Sequence, residues 1–200
     1  MSTLFVVDGA FGTSKRFLLG YLSSASHRHT SSVVQKYTSV KDDNEAFINP
    51  DISLDLNVIS EEQFNEVVST ETCYHYSLFP QRYAIPKDHI NEKLKRHPHV
   101  FVVVRDRGTI RSMKEELSEQ DVRVVPVYIY VDEAHLREGL KSSKQDMGVE
   151  DLELHLKRYR STWEEYIHDI GFYTHILINN KDNDDFYRQI DTLIKLYPGE

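Results

Sequence analysis

Short apolar runs rich in β-branched residues alternate along the chain with longer segments whose apolar positions recur at helical spacing. The runs predict strands, and the two continuous ones, at 4–7 and 100–104, are typical of parallel strands buried on both faces. Pro126 interrupts the pattern of a further strand, at 122–131. The other predicted strands cover residues 32–38, 52–58, 74–79, 82–85 and 173–179.

The segments with helical spacing have recognisable beginnings. Ser60 and Asp132 are suitable N-caps, and Pro86 is favourable at the first position of a helix. The polar stretches 41–50 and 142–147 are predicted connections. Helices are predicted over residues 15–22, 61–68, 86–95, 108–119, 132–141, 149–170 and 184–197. Such alternation of strands and helices predicts an α/β domain built on a mostly parallel sheet.

Composition narrows the class of protein. The 200 residues suffice for one domain with its own core, and 24 Lys and Arg against 32 Asp and Glu give a net charge of −8. This balance argues against a nucleic-acid binder, which needs a clustered basic surface. Cys73 is the single cysteine, and His27 and His29 lack a third ligand nearby, so we expect neither a disulfide nor a metal site. Without a long apolar run or a basic leader, a cytoplasmic protein without a membrane partner is expected.

The most informative local feature is the loop DGAFGTSKR at 8–16, between the first predicted strand and helix. Backbone N–H groups converge in such a loop, and the helix dipole adds positive potential, so it suits an anion. Gly9 and Lys15 match the pattern G-x-x-x-x-G-K-[ST], but Ser14 replaces its second glycine and Arg16 its Mg²⁺-binding hydroxyl. Ser14 adds a Cβ where a phosphate approaches, and Arg16 removes a metal ligand. The loop predicts phosphate binding with impaired Mg²⁺ binding; a purely structural turn is the alternative.

Six segments, in order along nearly the whole chain, resemble the guanylate kinase superfamily. They are LFVVDGAFGTSK (4–15, opening strand and phosphate loop), VVQKYTSVK (33–41, the strand before Thr-Thr-Arg), NVISEEQFNEVV (57–68, strand and helix), RYAIPKDHI (82–90, Tyr-Gly-Thr-Pro), RYRSTWEEY (158–166, lid helix) and FYTHILINN (172–180, last strand). Each segment is unspecific alone, whereas their common order is specific. The resemblance implies a P-loop kinase-type parallel sheet flanked by helices, with a small mixed β subdomain and a helical lid.

The resemblance also implies a division of the chain. A single guanylate kinase-like domain would comprise a core of residues 1–34, 96–137 and 159–200. The substrate-binding subdomain would span residues 35–95, and the lid residues 138–158.

Functional positions carry over from the resemblance residue by residue. Lys15 matches the lysine that contacts the transferred phosphate, and Arg158 matches a lid arginine, so both are catalytic candidates. Tyr83 matches a tyrosine that touches the acceptor phosphate. The residues implied to bind ATP are Gly9, Gly12, Thr13, Ser14, Lys15 and Arg16. The residues implied to bind the acceptor are Thr38, Ser39, Lys41, Tyr74, Tyr83 and Arg105.

Several departures from the family pattern weaken its chemistry. Val40 stands where an arginine would clamp the acceptor phosphate, so Lys41 offers only a point charge. Val103, Val104 and Arg105 replace acidic residues that recognise guanine and organise the metal. The Arg-x-x-x-Arg pair of the lid corresponds to GLKSSK at 139–144, whose cations are lysines.

Two functions from different classes follow. The first is a divergent ATP-dependent phosphotransferase of impaired activity, with a nucleoside monophosphate or a phosphoribosyl phosphate as acceptor. The sugar phosphate is included because RYAIP resembles the Tyr-Gly-Ile-Pro of ribose 1,5-bisphosphate-forming kinases. The second is a catalytically inactive module that binds a phosphorylated ligand or a protein partner. Retention of Gly9, Gly12 and Lys15 favours the first; the substitutions at Ser14 and Arg16 favour the second.

Overall fold

The computed structural model describes residues 1–10, 13, 15–24, 27, 29–39, 54–78, 81–143, 148–180 and 182–199. The predictions for Gly12, Ser14 and Lys41, and for the connection at 41–50, lie outside these residues, as does the side chain of Arg16. The elements in chain order are β1 (Thr3–Asp8), α1 (Lys15–Leu22), β2 (Ser31–Val33), β3 (Lys36–Ser39), β4 (Leu56–Ile59), α2 (Glu61–Thr70), β5 (Cys73–Leu78), β6 (Gln81–Pro86), α3 (Lys87–Arg96), β7 (His99–Val103), α4 (Arg107–Ser118), β8 (Arg123–Tyr130), α5 (Glu133–Ser143), α6 (Val149–His168), a short 3₁₀ turn (Ile170–Phe172), β9 (His175–Ile178) and α7 (Asn183–Leu196).

A five-stranded parallel sheet in the order β2-β7-β1-β8-β9 forms the core. Successive residues of β1 point to opposite faces, so Phe5 and Val7 pack with Leu18 of α1 while Leu4 and Val6 pack towards Ile110 of α4. Every residue of β1 is buried, which explains its uninterrupted apolar run. No helix in the described part of the chain is long and apolar enough to cross a membrane.

A separate four-stranded mixed sheet has the order β4-β3-β6-β5. Strand β3 is parallel to β4 and antiparallel to β6, which in turn is antiparallel to β5. Its inner face carries Tyr74, Tyr76, Tyr83 and Ile85, which join the same core cluster as Leu4 of β1. The small sheet is therefore packed against the large one through a shared core.

The single strand predicted at 32–38 is wrong, because the structure has two strands there in different sheets. β2 pairs with β7 in the large sheet, and β3 begins at Lys36 in the small one. Val34 is buried and donates its N–H to the Phe101 carbonyl at 2.8 Å, which ends the pairing with the large sheet. No glycine or proline marks this transfer in the sequence, so the apolar pattern runs through it.

Pro126 lies inside β8 without interrupting it. The Pro126 carbonyl accepts a hydrogen bond from the Thr174 N–H at 2.9 Å, so its backbone faces β9. Pairing with β9 starts only at Val127 and His175, so the missing N–H of the proline removes no bond of that ladder.

The outer edge of the large sheet is covered by a side chain. Strand β9 is the last strand, and Ile178 lies at its end. The Gln189 side-chain amide on α7 donates to the Ile178 carbonyl at 2.9 Å and accepts from its N–H at 2.8 Å. Gln189 therefore satisfies both backbone groups of Ile178, as a neighbouring strand would.

One buried ammonium joins the two sheets. Lys36, at the start of β3, is only 4% exposed, and its Nζ lies 2.7 Å from Asp55 Oδ2 and 2.8 Å from the carbonyl of Val103 at the end of β7. A buried charge is tolerated only when it is paired and hydrogen-bonded, and Lys36 meets both conditions. The Lys36 ammonium thus holds the small sheet at the end of β7. It can be hydrated only if this contact between the two sheets opens.

We predict that Asp55→Asn destabilises the fold by about 3–5 kcal/mol, because it leaves the Lys36 ammonium buried without its counter-charge. The matched control is Asp185→Asn, which breaks an exposed pair with Arg188 at 3.2 Å and should cost at most about 1 kcal/mol. Urea unfolding at neutral pH measures both. Equal losses in the two variants would contradict the proposed role of the buried pair.

Candidate functional site

The loop after β1 is shaped by a glycine that cannot be replaced. Gly9 has a φ of +150°, a backbone conformation that is unfavourable for residues with a Cβ. A Cβ there would lie 2.7 Å from the Ile129 carbonyl oxygen and 2.8 Å from Thr13 Oγ1. The backbone at Gly9 therefore lies directly against the end of β8.

The Lys15 side chain closes back over this loop. Its Nζ donates to the carbonyl oxygens of Gly9 at 2.8 Å and Ala10 at 2.9 Å, and lies 3.2 Å from Thr13 Oγ1. The Thr13 hydroxyl in turn donates to the Ala10 carbonyl at 2.9 Å. The predicted ATP-binding residues Gly9, Thr13 and Lys15 are thus brought together around one ammonium group.

Asn179, which our sequence analysis did not select as a site residue, supports the same loop from the end of β9. Its Nδ2 donates to the Thr13 carbonyl at 3.3 Å, and its backbone N–H donates to the Tyr130 carbonyl at 2.8 Å. The sequence did contain a signal for this role. Asn179 is the last residue of a predicted strand, and ligands of open parallel sheets bind at the carboxyl ends of the strands, where the loop also lies.

The carboxylate of Asp8, the last residue of β1, is buried beneath the loop. Its Oδ1 accepts the Gly9 N–H at 2.6 Å, and its Oδ2 accepts the Tyr173 hydroxyl. Burial and the neighbouring carboxylate raise the pKa of Tyr173, so this hydroxyl remains a donor at neutral pH. Both oxygens of Asp8 therefore already accept a hydrogen bond from the protein.

Lys15 belongs to a wider group of charges, which we call the charge cluster: Lys15, Lys36, Arg105, Asp8 and Asp55. Burial, and then the positive charge of Arg105, lower the pKa of Lys15 to about 7. Asp8 and Asp55 act in the opposite direction, but they do not offset burial. Nearby negative charge will raise the pKa of Lys15 again and favour its protonated form.

The acceptor residues predicted in β3 and β6 lie next to this cluster. Thr38 is fully buried, and its hydroxyl donates to the Arg82 carbonyl at 2.9 Å, so it is engaged by the small sheet. Ser39 is also buried, and its Oγ has no hydrogen-bond partner among the described residues. The ring of Tyr83, opposite Thr38, lies 5.5 Å from Lys36 Nζ, and its hydroxyl donates to Gln81.

Two tyrosines of β5 have different surroundings. Tyr74, which we predicted to bind the acceptor, packs beneath Lys87 Nζ at 4.7 Å, beside Glu116 of α4. Tyr76 stacks on Tyr83 with ring centroids 5.0 Å apart, and its hydroxyl is within hydrogen-bonding reach of the Arg105 backbone. Tyr76, which we did not predict, therefore lies closer to the charge cluster than Tyr74 does. Strand alternation places both tyrosines on one face, and only pairing with Tyr83 distinguishes them.

The predicted lid arginine, Arg158, is exposed on α6, where its carbonyl accepts the Thr162 hydroxyl at 2.9 Å. The neighbouring Arg160 instead pairs with Glu133 of α5, with Nε 2.8 Å from Oε2, and Arg137 lies 3.1 Å from Glu153. These ion pairs of Arg160 and Arg137 link α5 to α6.

The described donors near the loop do not fit Mg²⁺. This ion takes oxygen ligands, usually one or two carboxylates besides phosphate oxygens and water. Asp8 is buried and each of its oxygens accepts one hydrogen bond, Asp55 is paired with Lys36, and β7 ends at Val103, which buried Val104 follows. No group of three or more His, Cys, Asp or Glu side chains suited to a metal occurs among the residues that the structure describes.

Comparison with solved structures establishes the fold. The chain matches a guanylate kinase from Anaplasma phagocytophilum with a TM-score of 0.61 and 14% identity, over 98% of this chain and 85% of that one. A shikimate kinase from Bacteroides thetaiotaomicron gives a TM-score of 0.47 at 12% identity, over 98% of this chain and 97% of that one. No protein-family model and no curated protein sequence matches significantly. The predicted fold class is confirmed: the chain has a guanylate kinase-like P-loop fold.

Lys15 should make stability depend on pH. Its pKa is lower in the folded chain than in the unfolded chain, so the unfolded chain binds more protons between about pH 7 and 10.5. Folding therefore becomes more favourable as pH rises in that range, with a slope approaching about 1.4 kcal/mol per pH unit for one proton. We predict that Lys15→Met flattens this slope between pH 7 and 8.5 in urea unfolding.

The control for this measurement is Lys114→Met, which removes an exposed lysine of α4 and should leave the slope as in the unaltered chain. Parallel slopes for the unaltered chain and Lys15→Met would show that the Lys15 ammonium is not destabilised by burial.

Proposed function

We propose that this protein is a cytoplasmic phosphotransferase of the nucleotide-kinase type, which binds ATP at the loop of residues 9–15 and transfers its terminal phosphate to a phosphorylated acceptor. The observation that carries the proposal is the charge cluster, in which hydrogen bonds to the Gly9 and Ala10 carbonyls fix the loop lysine, Lys15. Arg105, and Lys36 of the small sheet, lie within electrostatic reach of Lys15. Positive side chains suited to the phosphates of ATP and of an acceptor thereby share one region at the carboxyl edge of the large sheet.

The donor half of the proposal rests on the loop. Gly9 keeps the backbone clear of a side chain, and α1 begins at Lys15 with its amino end at the loop. A helix amino end and converging amides favour a phosphate chain. The Lys15 ammonium, which already bridges two loop carbonyls, is positioned to contact that chain. The Asn179 side chain holds the loop at Thr13 close to the end of β9.

The acceptor half rests on the residues between the two sheets. Arg105 lies two positions after the end of β7, and Tyr76 and Tyr83 form an aromatic wall beside it. Ser39 is a buried hydroxyl on the same strand as Lys36, and it retains its place among the proposed acceptor contacts. Lys41 and Arg158 remain proposed contributors of positive charge, Arg158 from the exposed side of α6.

The proposed acceptors, a nucleoside monophosphate or a phosphoribosyl phosphate, present the same reacting atom. A phosphate oxygen of the acceptor attacks the γ-phosphorus, the bond from that phosphorus to the β–γ bridging oxygen breaks, and ADP leaves. Such transfer depends on positioning and on neutralising charge rather than on covalent chemistry by the protein. Lys15 and Arg105 are the described cations of the charge cluster proposed for this role, whereas Lys36 is already paired with Asp55.

A second candidate is favoured by one specific observation. Positions 103–105, at and just after the end of β7, carry no carboxylate, and the carboxylate that follows, Asp106, caps α4 by accepting from Thr109. A protein with this edge could retain ligand binding while lacking transfer. The second candidate is therefore a non-catalytic module that binds a phosphorylated ligand, or a protein partner through the same face.

Removing the loop lysine should weaken ATP binding. We predict at least a tenfold loss of ATP affinity in Lys15→Ala, because a charge-assisted contact to the phosphates disappears. Lys114→Ala, an exposed control on α4, should bind as the unaltered chain does. Thermal shift and Trp163 fluorescence report binding, and ligand at 100 times its Kd should stabilise the unaltered chain by about 2.7 kcal/mol. Equal affinity in both variants would exclude Lys15 from the site.

Arg105 should affect the acceptor more than ATP. In a product screen with nucleoside monophosphates and phosphoribosyl phosphates, we expect Arg105→Ala to raise the acceptor KM at least tenfold, with a smaller change for ATP. Arg96→Ala, an exposed arginine of α3, is the control. If ATP binds but no acceptor yields product with the unaltered chain, the non-catalytic module becomes the better description.

A further inference from the structure

The carboxylate beneath the loop, Asp8, is held by the protein's own donors. Its Oδ1 accepts the Gly9 N–H at 2.6 Å, and its Oδ2 accepts the Tyr173 hydroxyl. Asp8 is also buried, so a cation would have to reach the remaining lone pairs of its oxygens beneath the loop. These contacts orient the carboxylate towards the loop backbone and Tyr173.

The second carboxylate of the charge cluster is equally committed. Asp55 is buried, and its Oδ2 lies 2.7 Å from Lys36 Nζ. Lys36 is itself fixed to the Val103 carbonyl at 2.8 Å, so this carboxylate belongs to the contact between the sheets. Drawing Asp55 towards a metal would strand a buried ammonium.

The sum of charges in the cluster is positive. Lys15, Lys36 and Arg105 contribute three positive charges when protonated, and Asp8 and Asp55 contribute two negative ones. A divalent cation placed there would meet net repulsion, whereas a polyphosphate chain would be attracted. Burial and Arg105 also lower the pKa of Lys15 to about 7, and an arriving polyanion would raise it and draw a proton onto the amine.

From these contacts we infer that the loop binds the polyphosphate chain of a nucleotide without a divalent cation, with protein ammonium and guanidinium groups in place of Mg²⁺. The inference rests on the proposed function, since it concerns the same ATP site. It assigns Tyr173 a positioning role: its hydroxyl keeps Asp8 turned towards the loop backbone and so away from a metal.

The test measures ATP and inorganic tripolyphosphate binding by titration calorimetry at pH 7.5, once in EDTA and once in millimolar Mg²⁺ at matched ionic strength. We expect the Kd in EDTA to be equal to that in Mg²⁺ or up to tenfold tighter, because Mg²⁺ removes charge from the ligand. Binding at least tenfold tighter with Mg²⁺ would overturn this inference alone. Absence of ATP binding in both buffers would overturn the proposed function together with it.

A variant tests the role of Tyr173. Tyr173→Phe removes the hydroxyl from Asp8 Oδ2, and we expect the ratio of Kd in EDTA to Kd in Mg²⁺ to rise at least threefold. The matched control is Tyr21→Phe. It removes a hydroxyl of α1 that is hydrogen-bonded at 2.9 Å to Asp191 of α7. This ratio does not respond to a general loss of stability, and thermal melting verifies that both variants fold. An unchanged ratio in Tyr173→Phe would exclude the positioning role of its hydroxyl.

Discussion

The placement of the buried Lys36 ammonium constrains the rest of the molecule. A lysine side chain enters a protein interior only with a counter-charge and hydrogen-bond acceptors, and here these come from Asp55 and from the end of β7. Because the acceptors lie on different sheets, satisfying one charge fixes the position of the small sheet relative to the large one. The aromatic wall of Tyr76 and Tyr83 and the cation Arg105 owe their proximity to that contact.

The loop after β1 is likewise held by charged side chains that bind groups of the protein itself. Its lysine satisfies loop carbonyls, and the carboxylate beneath it satisfies a loop amide and a tyrosine hydroxyl. Each polar group therefore has two competing roles, to maintain the loop and to meet a ligand. A phosphate can replace a loop carbonyl as the acceptor of the Lys15 ammonium. The Asp8 carboxylate is buried, so a cation would have to reach its remaining lone pairs beneath the loop.

Sequence reasoning predicted the fold well because strand and helix patterns are local. The fully buried β1 and β7 and the caps at Ser60 and Asp132 all follow from short-range chemistry. The transfer between sheets at Val34 was missed because burial continues across it. The domain boundaries and the site residues of the sequence analysis remain predictions. Lys36 could not be singled out, since its partner lies 19 positions away and becomes visible only through pairing of β3 with β4.

The amide of Gln189 has a consequence beyond the single molecule. Ile176 and Ile178 are 45% and 46% exposed on the last strand, a combination of apolar surface and open edge that usually invites neighbouring chains to add strands. At Ile178 both backbone groups are already matched by one side chain. An incoming strand would have to displace Gln189 before gaining its first two bonds there. At this position the protein thus resists fibre-like self-association because a side chain already binds the backbone groups of the edge strand. The side chains of Ile176 and Ile178 stay exposed.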